Sequence, residues 1–159
     1  MTALLTMEQV SEALREYGPA EQVRKNRIRV NTDPQKVLSA IKAAQQLLNC
    51  DHLILISCTD DTGSFGLTYH LTGPHRTVIS LAIAVPRETP QAFTVSDILP
   101  PAGIYERQIH DLFGIVFLGH PGLSRLMLNE DWPDGEYPLR KDWKPNKANS
   151  YGGAAREGA

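Results

Sequence analysis

The sequence predicts an α+β fold: two helices on a small, mostly antiparallel sheet, followed by one helix and an extended C-terminal arm. Two early segments repeat apolar residues at helical spacing. Three consecutive segments then run apolar or alternate with period two, separated by turn sequences. Beyond residue 119 the periodicity stops while prolines and glycines accumulate. The divisions this suggests are a globular layer over 1–99, a helix and extended contact arm over 100–145, and a mobile tail over 146–159.

Thr6 with Gln9 three residues on forms a capping-box pattern, and Gly18 is the expected end of the helix it opens. Val10, Ala13, Leu14 and Tyr17 give that helix one apolar face. Ile28 and Val30 flank Arg29 in a short alternating strand. Asp33-Pro34 then starts a second helix, the carboxylate capping and the proline taking the first helical position. Its buried stripe is Val37, Leu38, Ile41, Ala44 and Leu48.

Leu53 to Cys58 is continuously apolar, as expected of a strand buried on both faces. A turn at Asp60 to Gly63 leads to the alternating Phe65, Leu67, Tyr69 and Leu71. Gly73-Pro74 turns again, and Thr77 to Val85 alternates until Pro86 stops it. Arg87 follows in a loop and is expected to be dispensable. Pro100-Pro101 opens the third helix, with Tyr105, Ile109, Leu112 and Phe113 as its apolar stripe and Gly114 as its C-cap. Glu106 with His110, and Arg107 with Asp111, are i,i+4 neighbours expected on the opposite, solvated side. The stretch after Gly119 keeps Leu123, Leu126, Leu128, Trp132, Tyr137, Leu139 and Trp143 without a period that could bury them, so a partner is expected to supply the burial.

At 159 residues, 42% apolar and 21% charged, the chain suits one soluble domain. A net charge of −2 gives no reason to expect a nucleic-acid binder, which would normally show a basic field. Charge is uneven: residues 140–159 hold five basic and two acidic groups, +3, leaving −5 elsewhere. No apolar run approaches the roughly 20 residues needed to span a bilayer. The opening Met1-Thr-Ala-Leu-Leu lacks a charged n-region, and a secretory signal is not expected. Cys50 and Cys58 form no CxxC pair and cannot alone ligate an iron–sulfur cluster, so a reducing, cytoplasmic setting is expected. No glycine run matches a phosphate loop, and Ser57, Ser64 and Ser80 lack a nucleophile elbow.

Between Tyr105 and Trp143 a set of ordered elements stands out: Glu106-Arg107, Asp111 with Leu112-Phe113, Gly119-His120-Pro121, Arg125, Asp131-Trp132 and Pro138-Leu139-Arg140-Lys141. This segment resembles the signature of the complex I 30 kDa subunit family. That family includes the C subunit of bacterial NADH:quinone oxidoreductase, the J subunit of the cyanobacterial and plastid enzyme, and the C subunit of the archaeal coenzyme F420 dehydrogenase. Two positions depart from it: Gln108 where the family usually has glutamate, and Ser124 where it has a basic residue or proline.

The resemblance implies a cofactor-free subunit of a proton-pumping quinone oxidoreductase, peripheral on the cytoplasmic face of the membrane and held there only through its complex. It would brace a large 49 kDa-type quinone-site subunit and a small iron–sulfur subunit, alongside other hydrophilic-arm subunits. NADH, coenzyme F420 or ferredoxin, FMN, iron–sulfur clusters and quinone would sit on those partners. The contact residues it implies are Tyr105, Glu106, Arg107, Asp111, His120, Arg125, Trp132, Leu139, Arg140, Lys141 and Trp143. Arg107 and Arg125 suit interface anchoring. Arg140 and Lys141 suit either a solvated basic turn or an acidic docking surface. Two rivals stand beside this reading: the equivalent subunit of a membrane-bound hydrogenase or formate hydrogenlyase, and a free-standing metal-dependent enzyme using Glu106, His110, Asp111 and His120.

Overall fold

In the computed structural model, which describes residues 3–145, the chain forms three α-helices, a five-stranded sheet and a two-stranded ribbon. The expected tail over 146–159 lies outside the described residues.

Helix α1 spans Met7–Leu14 and carries the full capping box, Gln9 N–H donating to Thr6 Oγ1 and Thr6 N–H to Gln9 Oε1. It ends before Gly18, earlier than expected. Gly18 instead passes close to the end of the second strand, where a Cβ would collide with the Asn31 carbonyl. Strand β1 (Ala20–Arg24) and β2 (Arg27–Asn31) form an antiparallel hairpin. Asp33 does cap, its Oδ1 accepting from Gln35 N–H at 2.8 Å, but the chain makes one 3-10 turn before α2, Val37–Leu48, begins.

Strands β3 (His52–Asp60), β4 (Ser64–Thr72) and β5 (Val78–Pro86) form the expected meander. The sheet order is β1-β2-β5-β4-β3, with β2 and β5 parallel and every other pair antiparallel. Phe65, Leu67, Tyr69 and Leu71 on β4 join Ile79, Leu81, Ile83 and Val85 on β5 against the buried stripes of α1 and α2. The alternation read from the sequence is thus the core face of two central strands.

One expectation is overturned at β3. It is an edge strand, and Ile54 and Leu55 are 36% and 38% exposed, so it is not buried on both faces. A continuous apolar run reports hydrophobicity, whereas coverage depends on what the fold lays over the second face.

The opposite face of the sheet is polar and small at its centre. There His70 bridges Ser57 Oγ and Ser80 Oγ, each at 3.0 Å, and Arg27 Nε donates to Ser80 Oγ. After β5 the chain forms β6 (Gln91–Phe93), then α3 (Ala102–Phe113) and β7 (Val116–Leu118). β6 and β7 pair in parallel, linking the segments on either side of the division drawn at residue 99. The three residues of each strand are too few to register as a period. Helix α3 leans on the open edge of β3, where Tyr105 OH donates to the Ile54 carbonyl at 3.0 Å. It ends at Gly114, in the left-handed region at φ 73°, where a Cβ would collide with the Tyr137 ring.

Candidate subunit-contact site

Helix α3 turns its charged residues toward the chain itself. Glu106 is fully buried, opposite to the solvated side expected for it. Its Oε1 accepts from Val95 N–H at 2.7 Å, and Oε2 accepts from the Thr94 hydroxyl. Burial pushes its carboxyl above the usual range, against the pull of those two donors and of His120. His120 Nε2 lies 4.0 Å from Glu106 Oε2 and donates to the Gly103 carbonyl, while Nδ1 accepts from Gly122 N–H. The tautomer these partners select carries its proton on Nε2, and the ring fixes the turn that starts the arm.

Asp111 is the second inward charge. A single oxygen, Oδ2, accepts from the N–H groups of Leu126, Met127 and Leu128 at 2.9, 2.6 and 3.0 Å. Burial would raise its pKa, but these three amides and the Arg125 charge together hold it below the ordinary value. The expected Arg107–Asp111 pair does not form. Arg107 instead donates to the carbonyls of Ser124 and Arg125. Because Ser124 is engaged through its backbone, its departure from the family pattern leaves this contact untouched.

Arg125 organises the next turn. Its Nη1 donates to the carbonyls of Asn129, Glu130 and Trp132, and its Nη2 pairs with Asp134 at 2.9 Å. Trp132 and Trp143 stack with centroids 5.9 Å apart. Both indole N–H groups reach Glu136, one its carbonyl and the other its carboxylate. A polar cleft of about 390 Å³ opens between this turn and the end of α3.

The arm then returns to the sheet. Leu139 N–H donates to the Leu112 carbonyl, and Arg140 Nε donates to Phe113 O at 2.7 Å while its guanidinium covers the Phe65 and Tyr137 rings. Lys141 meets the fold through its backbone N–H, which donates to Asp60 Oδ2 at 2.8 Å. Asp60 and Arg87 complete this clasp. Arg87 pairs with Asp60 at 2.7 Å and also with Asp142, holding the Asp60 carboxyl down at about 2. Arg87 therefore ties the arm to the sheet and is not the dispensable loop residue the sequence suggested. In the sequence Asp60 shows only a turn, and the partners that reveal its role lie 27 and 81 positions away.

Of the eleven expected contact residues, Leu139 keeps 52% of its surface exposed, whereas Glu106 and Asp111 are buried within the chain. Neighbouring apolar exposure comes from Met127, Ile104 and the outer face of the β6–β7 ribbon, where Phe93, Val116 and Leu118 project. Among the described residues no group of three or more His, Cys, Asp or Glu is placed to hold a metal ion. His110 Nδ1 engages the Ile115 carbonyl instead. Burial, with neighbouring aspartates, pushes the thiols of Cys50 and Cys58 up to about 11 and about 12, so neither is a thiolate at neutral pH. No helix among the described residues is long and apolar enough to cross a membrane.

The sequence profile described as "Respiratory-chain NADH dehydrogenase, 30 Kd subunit" matches residues 30–149. The chain belongs to this 30 kDa subunit family. It is 33% identical over 141 residues to the C subunit of the F(420)H(2) dehydrogenase of Methanosarcina mazei, covering 86% of this chain and 87% of that one. It is 47% identical over 89 residues to the C/D subunit of an NADH-quinone oxidoreductase of Bacteroides thetaiotaomicron, covering 53% of this chain but only 16% of that larger protein. Among solved structures, a chain of the membrane-bound sulfane sulfur reductase, an archaeal respiratory membrane complex, superposes with a TM-score of 0.75 at 26% identity, covering 86% of this chain and 84% of the other. The trypsin-resistant fragment of Nqo5 gives 0.62 at 26% identity, covering 72% and 96%.

Proposed function

We propose that this 30 kDa-family chain is a cofactor-free, peripheral-arm subunit of a complex I-type, proton-pumping quinone oxidoreductase. It braces a large 49 kDa-type quinone-site subunit and a small iron–sulfur subunit on the cytoplasmic face of the membrane. NADH, coenzyme F420 or ferredoxin, FMN, the clusters and the quinone bind to partner chains. The observation that carries this reading is how the signature residues are used. Arg107, Asp111, Arg125 and Arg140 spend their hydrogen bonds holding an arm without helix or strand in one shape, Glu106 fixes the Thr94–Val95 segment beneath it, and Met127 and Leu139 face outward. A preformed coil with apolar tips lowers the ordering cost of docking. The C/D name of the Bacteroides relative supports a D-type large subunit as the partner.

The near end-to-end match to the F(420)H(2) dehydrogenase chain favours a second reading within the same class, in which the complex takes electrons from a donor other than NADH. Tagging this chain, extracting membranes in mild detergent and identifying co-purifying subunits by mass spectrometry tests both. A large quinone-site subunit and an iron–sulfur subunit are expected in every preparation. Recovery of the chain alone, with bound metal near one per chain, would support the free-standing enzyme instead.

A further inference from the structure

The far end of the five-stranded sheet carries a cluster of positive charge that the bracing arm does not use. Arg24 and Lys25 form the exposed tip of the β1–β2 hairpin, and Arg27 follows. Arg76 sits exposed in the β4–β5 turn. The two turns lie side by side because β2 and β5 pair in parallel: Arg27 is in register with Val78, and Val78 N–H donates to the Asn26 carbonyl at 2.8 Å.

Arg15, Arg29, Arg87 and Arg125 each have a carboxylate within ion-pair distance. Among the described residues Arg24, Lys25, Arg27 and Arg76 have none; Arg27 spends its Nε on a serine hydroxyl. Four unpaired cations in a chain of net charge −2 leave −6 for the rest of the molecule. Beside them, Val23 is 44% exposed on a strand that, among the described residues, has no neighbouring strand on its outer edge.

We propose that this basic end of the sheet is a second docking surface, which receives a carboxylate-rich segment of another subunit in the complex inferred above. The chemistry favours protein carboxylates over a polyanion. A nucleic acid or an anionic bilayer meets the field of the whole molecule, which is negative, whereas a short acidic segment meets only the local cluster. Complementary charge of this kind fixes orientation and partner choice more than raw affinity. The competing role, charges that guard an edge strand against self-pairing, requires the cluster to stay solvated in the assembled complex.

Lys25 is the only amine among the four cations, which makes the test specific. The co-purified complex and the free chain are treated with an acetylating reagent, and separately with a water-soluble carbodiimide that joins an amine to a carboxylate in direct contact. Lys25 in the complex is expected to acetylate about tenfold more slowly than in the free chain. It is also expected to cross-link to an aspartate or glutamate of another subunit. The triple reversal R24E/K25E/R76E, checked for an unchanged melting temperature, should deplete assembled complex about tenfold, while Lys42→Glu, at an exposed position of α2, should not. Equal acetylation in complex and free chain overturns the proposal while the co-purification itself upholds the subunit assignment. Binding of the free chain to phosphatidylcholine–phosphatidylglycerol vesicles, abolished by the triple reversal, would overturn it in favour of a lipid surface.

Discussion

Two carboxyls that the chain buries respond to pH with opposite signs. Asp60 titrates near 2 in the fold, chiefly because Arg87 donates to it, against about 3.9 when unfolded. Its stabilisation is present above the unfolded value and is lost as pH falls toward 2. Glu106 is shifted upward by burial, so its folded state holds a proton that the unfolded chain has released. That contribution is complete below about 4.3 and disappears as pH rises through the elevated value. Urea midpoints measured across pH should therefore show Glu106→Gln flattening the fall on the alkaline side of 4.3, and Arg87→Ala flattening the fall on the acid side. His70, whose pKa is lowered by burial and then by Arg27 and Arg29, adds a further loss of stability below about 6.5, where the unfolded imidazole protonates first. An unchanged profile in both variants would mean that these groups are solvated.

At the scale of elements, the capping box, the meander and the three helices are legible in the sequence because each rests on local chemistry: a side chain reaching its own first turn, or a period matched to strand or helix. β1, β6, β7 and the edge position of β3 are not, because short strands carry no period and coverage is a property of the whole fold. The arm is the sharpest case. Its lack of periodicity does mean lack of helix and strand, but the contacts that hold it are side chains gripping backbone groups, 4 to 7 positions away for Arg125 and 15 to 81 for Asp111, Arg107 and Asp60, with no regular spacing to recognise. Asp111, Arg107 and Arg125 are therefore visible as residues while their partners are not. The structure replaces the expectation of a partner-shaped, locally unburied arm with a definite outcome for amide exchange in the free chain. Leu126, Met127, Leu128, Leu139 and Lys141 should exchange slowly, since their N–H groups are bonded, and Arg87→Ala should accelerate Lys141 selectively. Fast exchange at all five positions would show that the arm orders only on a partner.

For the whole molecule, the fold separates stability from contact. The core takes in α1, α2, the central strands and also Ala102, Ile109 and Phe113 of α3, whereas the arm adds only the half-buried Leu123 to it and lies beside the exposed Ile104, Met127 and Leu139. Substitutions in the arm should therefore alter assembly before they alter folding. The central claim, that this chain braces a redox machine without taking part in its chemistry, is tested most directly by Arg125→Ala. Truncation removes three carbonyl contacts and one ion pair, so the turn around Trp132 loses its shape. The measurement is native-gel abundance of the complex together with quinone reductase activity per assembled complex. Abundance should fall several-fold, as expected when an arginine anchor is lost, with turnover of the surviving complex close to wild type. Normal abundance with collapsed turnover would contradict the bracing role and place Arg125 in the chemistry itself.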